Sequence, residues 1–373
     1  MSTTACTSTT VWKPLEGVRI ADFSVLFPGP FATTLLADLG ADVVKIEAPT
    51  GDPGRAMLPE LFQATGRNKR SVVLDLKSPQ DRAQIAAIAA WADIVIEGFR
   101  PGVADRLGIG FEQLQAFNAK LVYCSLSGYG QDGPWKDRPG HDLNYLAAGG
   151  ALGHSAMYGR LPGRSSVPLG DICGGALAAT SILAALRERD RSGAPARLDL
   201  SVFEATLYCA ALRHGTTGAG DTGLFPGNDI YAARDGVQVT LALVEDHFWR
   251  AFQQLLGHEL PALRDARFDT MHGRRQHGSE LAPLLEQLLA SRSAREWAAL
   301  FAGSDIPFEI CVSPAQAARS EHVRARGRLV ERAGQTFVPF PVTVDGRARP
   351  TVRAAAPGVG EHTTAFLGAL RPA

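Results

Sequence analysis

The chain has few cysteines and no excess of charge of either sign. Its 373 residues include only five cysteines, which are scattered and never spaced as Cys-x-x-Cys. This pattern argues against a disulfide framework and a zinc site, so we expect a cytoplasmic protein without a metal. Lysine and arginine total 38, as do aspartate and glutamate. That balance argues against nonspecific binding to nucleic acid or to a membrane surface.

Long apolar runs and a targeting signal are also lacking. No uninterrupted apolar segment reaches the ~18–20 residues that a membrane span needs. Residues 2–10 are small and polar, without the basic and apolar regions of a signal peptide. A hydrophobic share of 45% with 20% charged residues is typical of a globular protein, and the length suits two domains.

Strands and helices alternate along the first half of the chain. Pro28-Gly29-Pro30 is interpreted as a loop after the first strand, with a helix starting at Phe31. The apolar pattern predicts helices that alternate with strands at residues 18–23, 42–47, 71–76, 93–97 and 121–126. Strands separated by helices of this length indicate βαβ units and a parallel sheet. The predicted fold class is α/β, with a Rossmann-like large domain.

A glycine-rich segment at residues 216–228 predicts a domain boundary. Residues 231–325 contain a hairpin signal around Arg234-Asp235-Gly236 and then helical patterns, which indicate a smaller α+β domain. From Phe337 onward the chain returns to strand and helix character and should pack on the first domain. We therefore predict a large domain of residues 1–215 and 328–373 and a small domain of residues 216–327.

Two short segments contain groups suited to catalysis. Gly140-His141-Asp142-Leu143-Asn144-Tyr145 places an imidazole in a loop, and Asp171 lies just before a helix predicted from about Gly174 to Arg189. At that position Asp171 either caps the helix or acts as an acid, a base or a nucleophile. Amides at the start of the helix would then stabilise a substrate oxyanion. His141 is either an ordinary loop residue or a proton-transfer group.

A glycine-rich segment and several basic residues are candidates for nucleotide recognition. Gly128-Tyr129-Gly130-Gln131-Asp132-Gly133 matches the G-x-G-x-x-G pattern, but Pro134-Trp135-Lys136-Asp137 follows where a dinucleotide site needs a helix. The segment therefore indicates a tight loop and not a nicotinamide site. Basic residues near predicted strand ends are either solvated surface charges or phosphate contacts: Lys45, Lys77, Arg100 and Arg106.

Several ordered motifs together resemble the class III CoA-transferase superfamily of the CaiB/BaiF type, which includes the α-methylacyl-CoA racemases. They are ADVVKIE at 41–47, LDLK at 74–77, EGFRPG at 97–102, SGYGQDGP at 127–134 and GEHT at 360–363. The resemblance implies a CoA thioester as substrate, no permanently bound cofactor and an interlocked homodimer. It also implies CoA contacts from Lys45, Leu76, Lys77, Gly98, Phe99, Arg100, Arg106, Gly140 and Tyr145.

Within that superfamily the segment around His141 resembles the racemase form. There the resemblance implies that His141 and Asp171 exchange protons at the α-carbon of a 2-methylacyl-CoA, with Glu245 supporting the histidine. An alternative is a CoA-transferase, in which Asp171 attacks the thioester, forms an anhydride and then carries CoA. A protein that binds acyl-CoA without reaction is a further alternative. The sequence does not identify the acyl group.

Overall fold

The computed structural model describes residues 10–152, 165–214, 225–346 and 348–370. Within them the chain forms two compact units. The first comprises the described parts of Met1–Ala151, Arg164–Thr216 and Ala325–Ala373, and the second comprises those of Leu152–Gly163 and Thr217–Arg324. Most of the predicted boundary segment at 216–228 lies outside the described residues.

A six-stranded parallel sheet forms the centre of the first unit. Its strands are β1 (Arg19–Asp22), β2 (Asp42–Glu47), β3 (Lys69–Val73), β4 (Ile94–Glu97), β5 (Val122–Ser127) and β6 (Ala196–Ser201). They lie in the order β3-β2-β1-β4-β5-β6. The chain reverses its direction of travel across the sheet between β1 and β4, so the loops after these strands open a crevice at the carboxyl edge. The predicted α/β fold with a parallel sheet is confirmed.

Helices pack on both faces of this sheet. Ile20 and Ile94 pack with one group of helices, and the neighbouring residues Ala21 and Val95 pack with another, because alternate strand residues point to opposite faces. The helices are α1 (Pro28–Asp38), α2 (Gly54–Met57), α3 (Pro59–Gly66), α4 (Pro79–Arg82), α5 (Ile85–Trp91), α6 (Val103–Leu107), α7 (Phe111–Gln115), α8 (Asp142–Ala148), α9 (Leu169–Ser192) and α10 (Val202–His214).

Two helices begin earlier than the sequence predicts. Helix α1 begins at Pro28, so the loop predicted for residues 28–30 is wrong. Proline suits the first helical position, because its missing N–H would have no partner there. Helix α9 begins at Leu169 instead of near Gly174, which puts Asp171 inside the first turn.

Helix α9 is long and apolar. By length and composition alone it could cross a membrane. In the described structure its residues Ala178, Ala179 and Ile182 pack against the sheet and α1 as part of the apolar core of the first unit. The long apolar helix is thus a core element that carries Asp171 at its first turn.

The second unit combines a small antiparallel sheet with helices. Its core includes the buried rings of Trp249, Phe252 and Trp297. Gly236, with φ of +76°, closes the predicted hairpin between β7 and β8. The elements are β7 (Asn228–Ala232), β8 (Gln238–Ala242), α11 (Asp246–Leu256), two 3₁₀ turns (Pro261–Arg264, Ala266–Phe268), α12 (Met271–Gln276), α13 (Gly278–Leu289), α14 (Ala294–Phe301), β9 (Phe308–Ile310), α15 (Pro314–Ala318) and α16 (Glu321–Ala325).

The C-terminal residues return to the first unit. They form a hairpin of β10 (Val330–Arg332) and β11 (Gln335–Phe337), and then α17 (Thr363–Leu370). The His362 N–H donates to the Ser71 carbonyl at 2.9 Å, and the Val73 N–H donates to Thr363 Oγ1 at 2.9 Å. These bonds join the tail to the outer edge of the parallel sheet at β3.

Candidate active site

Asp171 lies half-buried in the first turn of α9, and Asp142 holds the start of that helix. Asp142 Oδ1 accepts the Gly170 N–H at 2.8 Å and the Asp171 N–H at 3.2 Å. A carboxylate in this place satisfies amides that lack helical partners and complements the helix dipole. The helix is therefore capped by Asp142, so the interpretation of Asp171 as the cap is wrong.

The surroundings of Asp171 raise its pKa to about 7. Burial is the larger cause, because it disfavours the charged carboxylate, and the negative charge of Asp142 is the second. Near neutral pH Asp171 is consequently present in both the protonated and the ionised form. A carboxyl group tuned in this way is typical of catalytic sites.

His141 lies at the residue before α8, with an exposed imidazole. Its backbone N–H donates to Asn144 Oδ1 at 3.0 Å. Since the neighbouring Asp142 binds the amides of α9, it joins the starts of the two helices and brings His141 and Asp171 into one region. The sequence predicted this pair, but it did not predict that Asp142 would connect them.

The amides near Asp171 are already bonded. Gly170 and Asp171 donate to Asp142, and the Ile172 N–H donates to the Pro168 carbonyl at 3.0 Å within the helix. The expectation that amides after Asp171 stabilise a substrate oxyanion is therefore wrong in this structure. The reason is that α9 starts before Asp171, so those amides belong to the helical hydrogen-bond pattern.

Tyr145 lies in a slot formed by two glycines. Its hydroxyl donates to the Gly140 carbonyl at 2.7 Å. A Cβ atom on Gly128 would lie 2.5 Å from the Tyr145 hydroxyl oxygen, and one on Gly140 would lie 2.7 Å from Tyr145 Cε1. Burial and the negative charge of Asp171 raise the pKa of Tyr145 to about 12. Tyr145 thus remains a protonated hydrogen-bond donor near Asp171.

An aromatic cluster that sequence analysis missed contacts Tyr145 through the ring of Tyr129. The ring of Tyr129 lies 5.3 Å from Tyr145, 5.8 Å from Trp135 and 5.7 Å from Phe203, measured between ring centroids. Trp135 and Phe203 are 5.3 Å apart. The aromatic residues within and just after the G-x-G-x-x-G loop were a signal for this cluster. It gives the region beside Tyr145 an apolar wall.

Several of the predicted CoA contacts, Leu76 and Lys77 among them, lie in the loops after β3 and β4. Gly98, Phe99 and Arg100 directly follow β4. Arg82, which sequence analysis missed, donates from Nε to the Leu76 carbonyl at 2.9 Å and from Nη2 to the Arg106 carbonyl at 2.7 Å. This arginine joins the loop after β3, which contains Lys77, to α6, which contains Arg106. These two basic segments therefore form one surface.

Three exposed cations mark that surface as suited to an anion. Lys77, Arg100 and Arg106 are exposed, and none of them forms an ion pair with any residue that the structure describes. Unpaired cations at the carboxyl ends of parallel strands are suited to bind phosphate groups. Contact of these three residues with the CoA phosphates stays a prediction.

Lys45 does not share this exposed position. Its side chain is 2% exposed, and its Nζ lies 2.7 Å from Asp52 Oδ2 and 2.7 Å from the Ser24 carbonyl oxygen. We therefore correct its predicted role as a direct CoA contact, because the ammonium group points beneath the loop after β1. A central strand covered by helices on both faces buries its polar side chains as well as its apolar ones.

Glu245 lies in the second unit, at the residue before α11. Its side chain is exposed and makes no capping bond. Arg274, a fully buried residue that sequence analysis missed, donates to the Val244 carbonyl and to Asp246 Oδ1, both at 3.0 Å. It fixes the residues on either side of Glu245. The role of Glu245 as a support for His141 stays a prediction.

Comparison with known proteins identifies the family. The family model described as CoA-transferase family III matches residues 15–363. The chain belongs to this family. It is 34% identical to the acetyl-CoA:oxalate CoA-transferase of Acetobacter aceti, over 95% of each chain. It is also 33% identical to the alpha-methylacyl-CoA racemase of Mus musculus, over 95% of this chain and 92% of that one.

A solved structure agrees with this assignment. The crystal structure of a CAIB/BAIF family protein from Brucella suis matches with a TM-score of 0.85 and 27% identity, covering 96% of this chain and 100% of that one. The predicted superfamily is therefore confirmed. The racemase branch is not, because transferases and racemases match this member of CoA-transferase family III at similar identity.

Proposed function

We propose that this member of CoA-transferase family III moves CoA between carboxylic acids, with Asp171 as the covalent nucleophile. The observation that carries the proposal is the half-buried Asp171 carboxyl group, whose pKa is raised to about 7, in a family that acts on CoA thioesters. A more basic carboxylate is a stronger nucleophile. The relatives include transferases named for oxalate and for glutarate. Transfer therefore replaces epimerisation as the favoured activity.

The proposed reaction passes through two anhydrides. An Asp171 oxygen attacks the thioester carbonyl carbon, the C–S bond breaks, and the CoA thiolate leaves a mixed anhydride behind. The thiolate then attacks the Asp171 carboxyl carbon, which releases the donor carboxylate and forms an aspartyl-CoA thioester. The acceptor carboxylate attacks the carbonyl carbon of this thioester, the C–S bond breaks, and the CoA thiolate leaves the second anhydride behind. Finally, the thiolate attacks the acceptor carbonyl, giving the new acyl-CoA and free Asp171.

Other residues have supporting roles in the proposal. Lys77, Arg100 and Arg106 bind the CoA phosphates, and Phe99 and Leu76 offer apolar contacts to the nucleotide. The aromatic wall beside Tyr145 shields the anhydride from water. Asp142 holds the helix that presents Asp171 and keeps its carboxylate basic.

A product assay separates the candidate activities. We expect that acetyl-CoA or succinyl-CoA, mixed with oxalate or glutarate, gives a new CoA thioester in liquid chromatography with mass detection. We also expect no deuterium at the α-carbon when a 2-methylacyl-CoA is incubated in D₂O without an acceptor acid. As a control, His141→Ala should retain transfer. Deuteration without transfer would contradict the proposal, and so would a lack of both.

Epimerisation is the second candidate, and a specific observation favours it. Asp142 accepts the N–H groups of Gly170 and Asp171, so the residue next to His141 contacts the turn that carries Asp171. A two-base reaction requires such a pair of proton-transfer groups. If this activity is the true one, the α-carbon exchanges with D₂O, and His141→Ala abolishes the exchange.

We further propose that the enzyme is a homodimer whose second copy covers α10. Three apolar side chains on that helix are exposed in the single chain: Leu207 by 43%, Tyr208 by 58% and Leu212 by 72%. Neighbouring apolar residues of this size rarely face water on one helix of a monomer. The family resemblance that implies an interlocked dimer supports the same conclusion.

Light scattering after gel filtration tests the dimer. The wild-type protein should have twice the 39.7 kDa mass of the chain, and a Tyr208→Glu/Leu212→Glu variant should be monomeric because two charges would be buried at the interface. Phe117→Glu, at a side chain that is 53% exposed, is the matched control and should stay dimeric. A monomeric wild-type protein would contradict the proposal.

A further inference from the structure

Two buried ion pairs lie beneath the loop that follows β1. We call residues 24–30 the switch loop; they comprise the loop at residues 24–27 and the first turn of α1, and they follow the strand at which the strand order of the sheet reverses. Leu26 in this loop has φ of +65°. A residue with a branched side chain rarely adopts this left-handed conformation, and it persists only where surrounding contacts fix it. The loop is therefore held by its neighbours and not by its own preference.

The first ion pair holds the beginning of the switch loop. Lys45 donates to the Ser24 carbonyl at 2.7 Å and pairs with Asp52 at 2.7 Å, and the two charged side chains are 2% and 1% exposed. Asp52 Oδ1 also accepts the N–H of Leu26 at 3.2 Å. This second bond holds the strained residue directly.

The second ion pair holds the end of the switch loop. Lys69 donates to the Pro30 carbonyl at 2.8 Å and to Thr33 Oγ1 at 2.7 Å, and it pairs with Asp22 at 3.3 Å. Lys69 and Asp22 are both fully buried. Asp22 Oδ1 accepts the Ser24 N–H at 3.0 Å, so this pair contacts both ends of the loop. Burial lowers the pKa of Lys69 to about 8.

The switch loop touches both halves of the active site. A Cβ atom on Gly98, at the end of β4, would lie 3.5 Å from Ser24 Cβ. A Cβ atom on Gly175, one turn after Asp171 on α9, would lie 2.6 Å from the Pro28 carbonyl oxygen. The loop thus fills the space between the predicted CoA crevice and the helix that presents the nucleophile.

We propose that Lys45 and Lys69 are positioning residues for the transfer reaction. They hold the carbonyls of Ser24 and Pro30, and the loop between these carbonyls sets the spacing between the CoA crevice and Asp171. This inference rests on the proposed function. The nucleotide of an acyl-CoA bound near Gly98 must place its thioester against Asp171, so the spacing that the loop sets governs the rate of attack. A misplacement of about 1 Å can cost on the order of 100-fold in rate.

A double-mutant cycle tests the role of Lys69. Lys69→Met alone leaves Asp22 buried without its partner and should lower the melting temperature. Asp22→Asn with Lys69→Met removes both charges and should restore most of the melting temperature, while the Pro30 carbonyl still lacks its donor. We expect this double variant to bind free CoA with a Kd within about twofold of wild type, but to lose about tenfold or more in kcat.

Each outcome of the cycle has a distinct meaning. A double variant that regains the wild-type kcat along with its melting temperature would overturn the inference, because the ion pair would then only stabilise the fold. A kcat loss that persists at restored stability supports it. Wild-type protein that fails to bind CoA in calorimetry would instead overturn the proposed function.

A third ion pair, between Arg67 and Asp38, provides the matched control. Arg67 and Asp38 are 2.7 Å apart with side chains 14% and 0% exposed, and they lie at the far end of α1 from the switch loop. Arg67→Met with Asp38→Asn should change the melting temperature but leave kcat within about twofold of wild type. An equal loss of kcat in this control would show a general effect of instability and would also overturn the inference.

Discussion

Replacing Asp171 with asparagine should lower kcat for CoA transfer by on the order of 1,000-fold or more. The amide has the same shape as the carboxyl group but no oxygen basic enough to attack a thioester. Steady-state assay of the new acyl-CoA measures the loss. A variant that keeps more than about a tenth of the wild-type rate would contradict the role of Asp171 as nucleophile.

The asparagine variant should remain folded, which makes the loss interpretable. The pKa of Asp171 is higher in the folded chain than its ordinary value of 3.8. Between pH 3.8 and about pH 7 the folded chain therefore holds a proton on Asp171 that the unfolded chain has lost. The contribution of Asp171 to the free energy of unfolding consequently falls as the pH rises through that window. Removing the charge should leave the melting temperature at about pH 8 unchanged or raised. Glu204→Gln, an acidic residue in the first turn of α10, is a matched control that should retain activity.

The pH profile of kcat/KM should fall on the acid side with a midpoint near pH 7. Only the ionised carboxylate of Asp171 is nucleophilic, and burial with the charge of Asp142 raises its pKa to about 7. Below this midpoint we expect a loss of about tenfold for each pH unit in the free enzyme. Measurement between about pH 5 and pH 9 therefore spans a change of on the order of 100-fold.

Asp142→Asn should move this midpoint to lower pH. The substitution removes the neighbouring negative charge, while the asparagine oxygen still accepts the N–H groups of Gly170 and Asp171. Burial, the larger cause, remains, so the midpoint should stay above 3.8. His141→Asn removes the imidazole as a possible source of this midpoint. Because the midpoint is assigned to the Asp171 carboxylate, it should stay in place in that variant. A midpoint that vanishes in His141→Asn, or does not move in Asp142→Asn, would contradict the assignment.

The fold was predictable because its main signals are local. Alternating strands and helices indicate a parallel sheet without any knowledge of tertiary contacts, and the segment at 42–47, which includes Val43, Val44 and Ile46, becomes β2. The start of α1 at Pro28 was not predicted, because a proline suits a loop and a first helical turn equally well. Only the packing of the helix on the sheet decides between them.

The candidate site was predictable as a set of residues but not as an arrangement. His141 and Asp171 stand out by residue type and by their place next to helices. The cap that Asp142 provides to α9 depends on a contact between two helices that are distant in sequence, so no local pattern contains it. The burial of Lys45 depends in the same way on Asp52 and on the loop above it. A basic residue on a strand has the same sequence signature whether it faces a ligand or an internal carboxylate.

Chemical trapping tests most directly whether Asp171 is the covalent nucleophile. Hydroxylamine converts an anhydride or thioester of an aspartyl group into a hydroxamate, and peptide mass spectrometry locates it. We expect a hydroxamate on Asp171 when acyl-CoA is present, none when it is absent, and none in Asp171→Asn. Continued transfer with no hydroxamate on Asp171, or with the adduct on another residue, would contradict it.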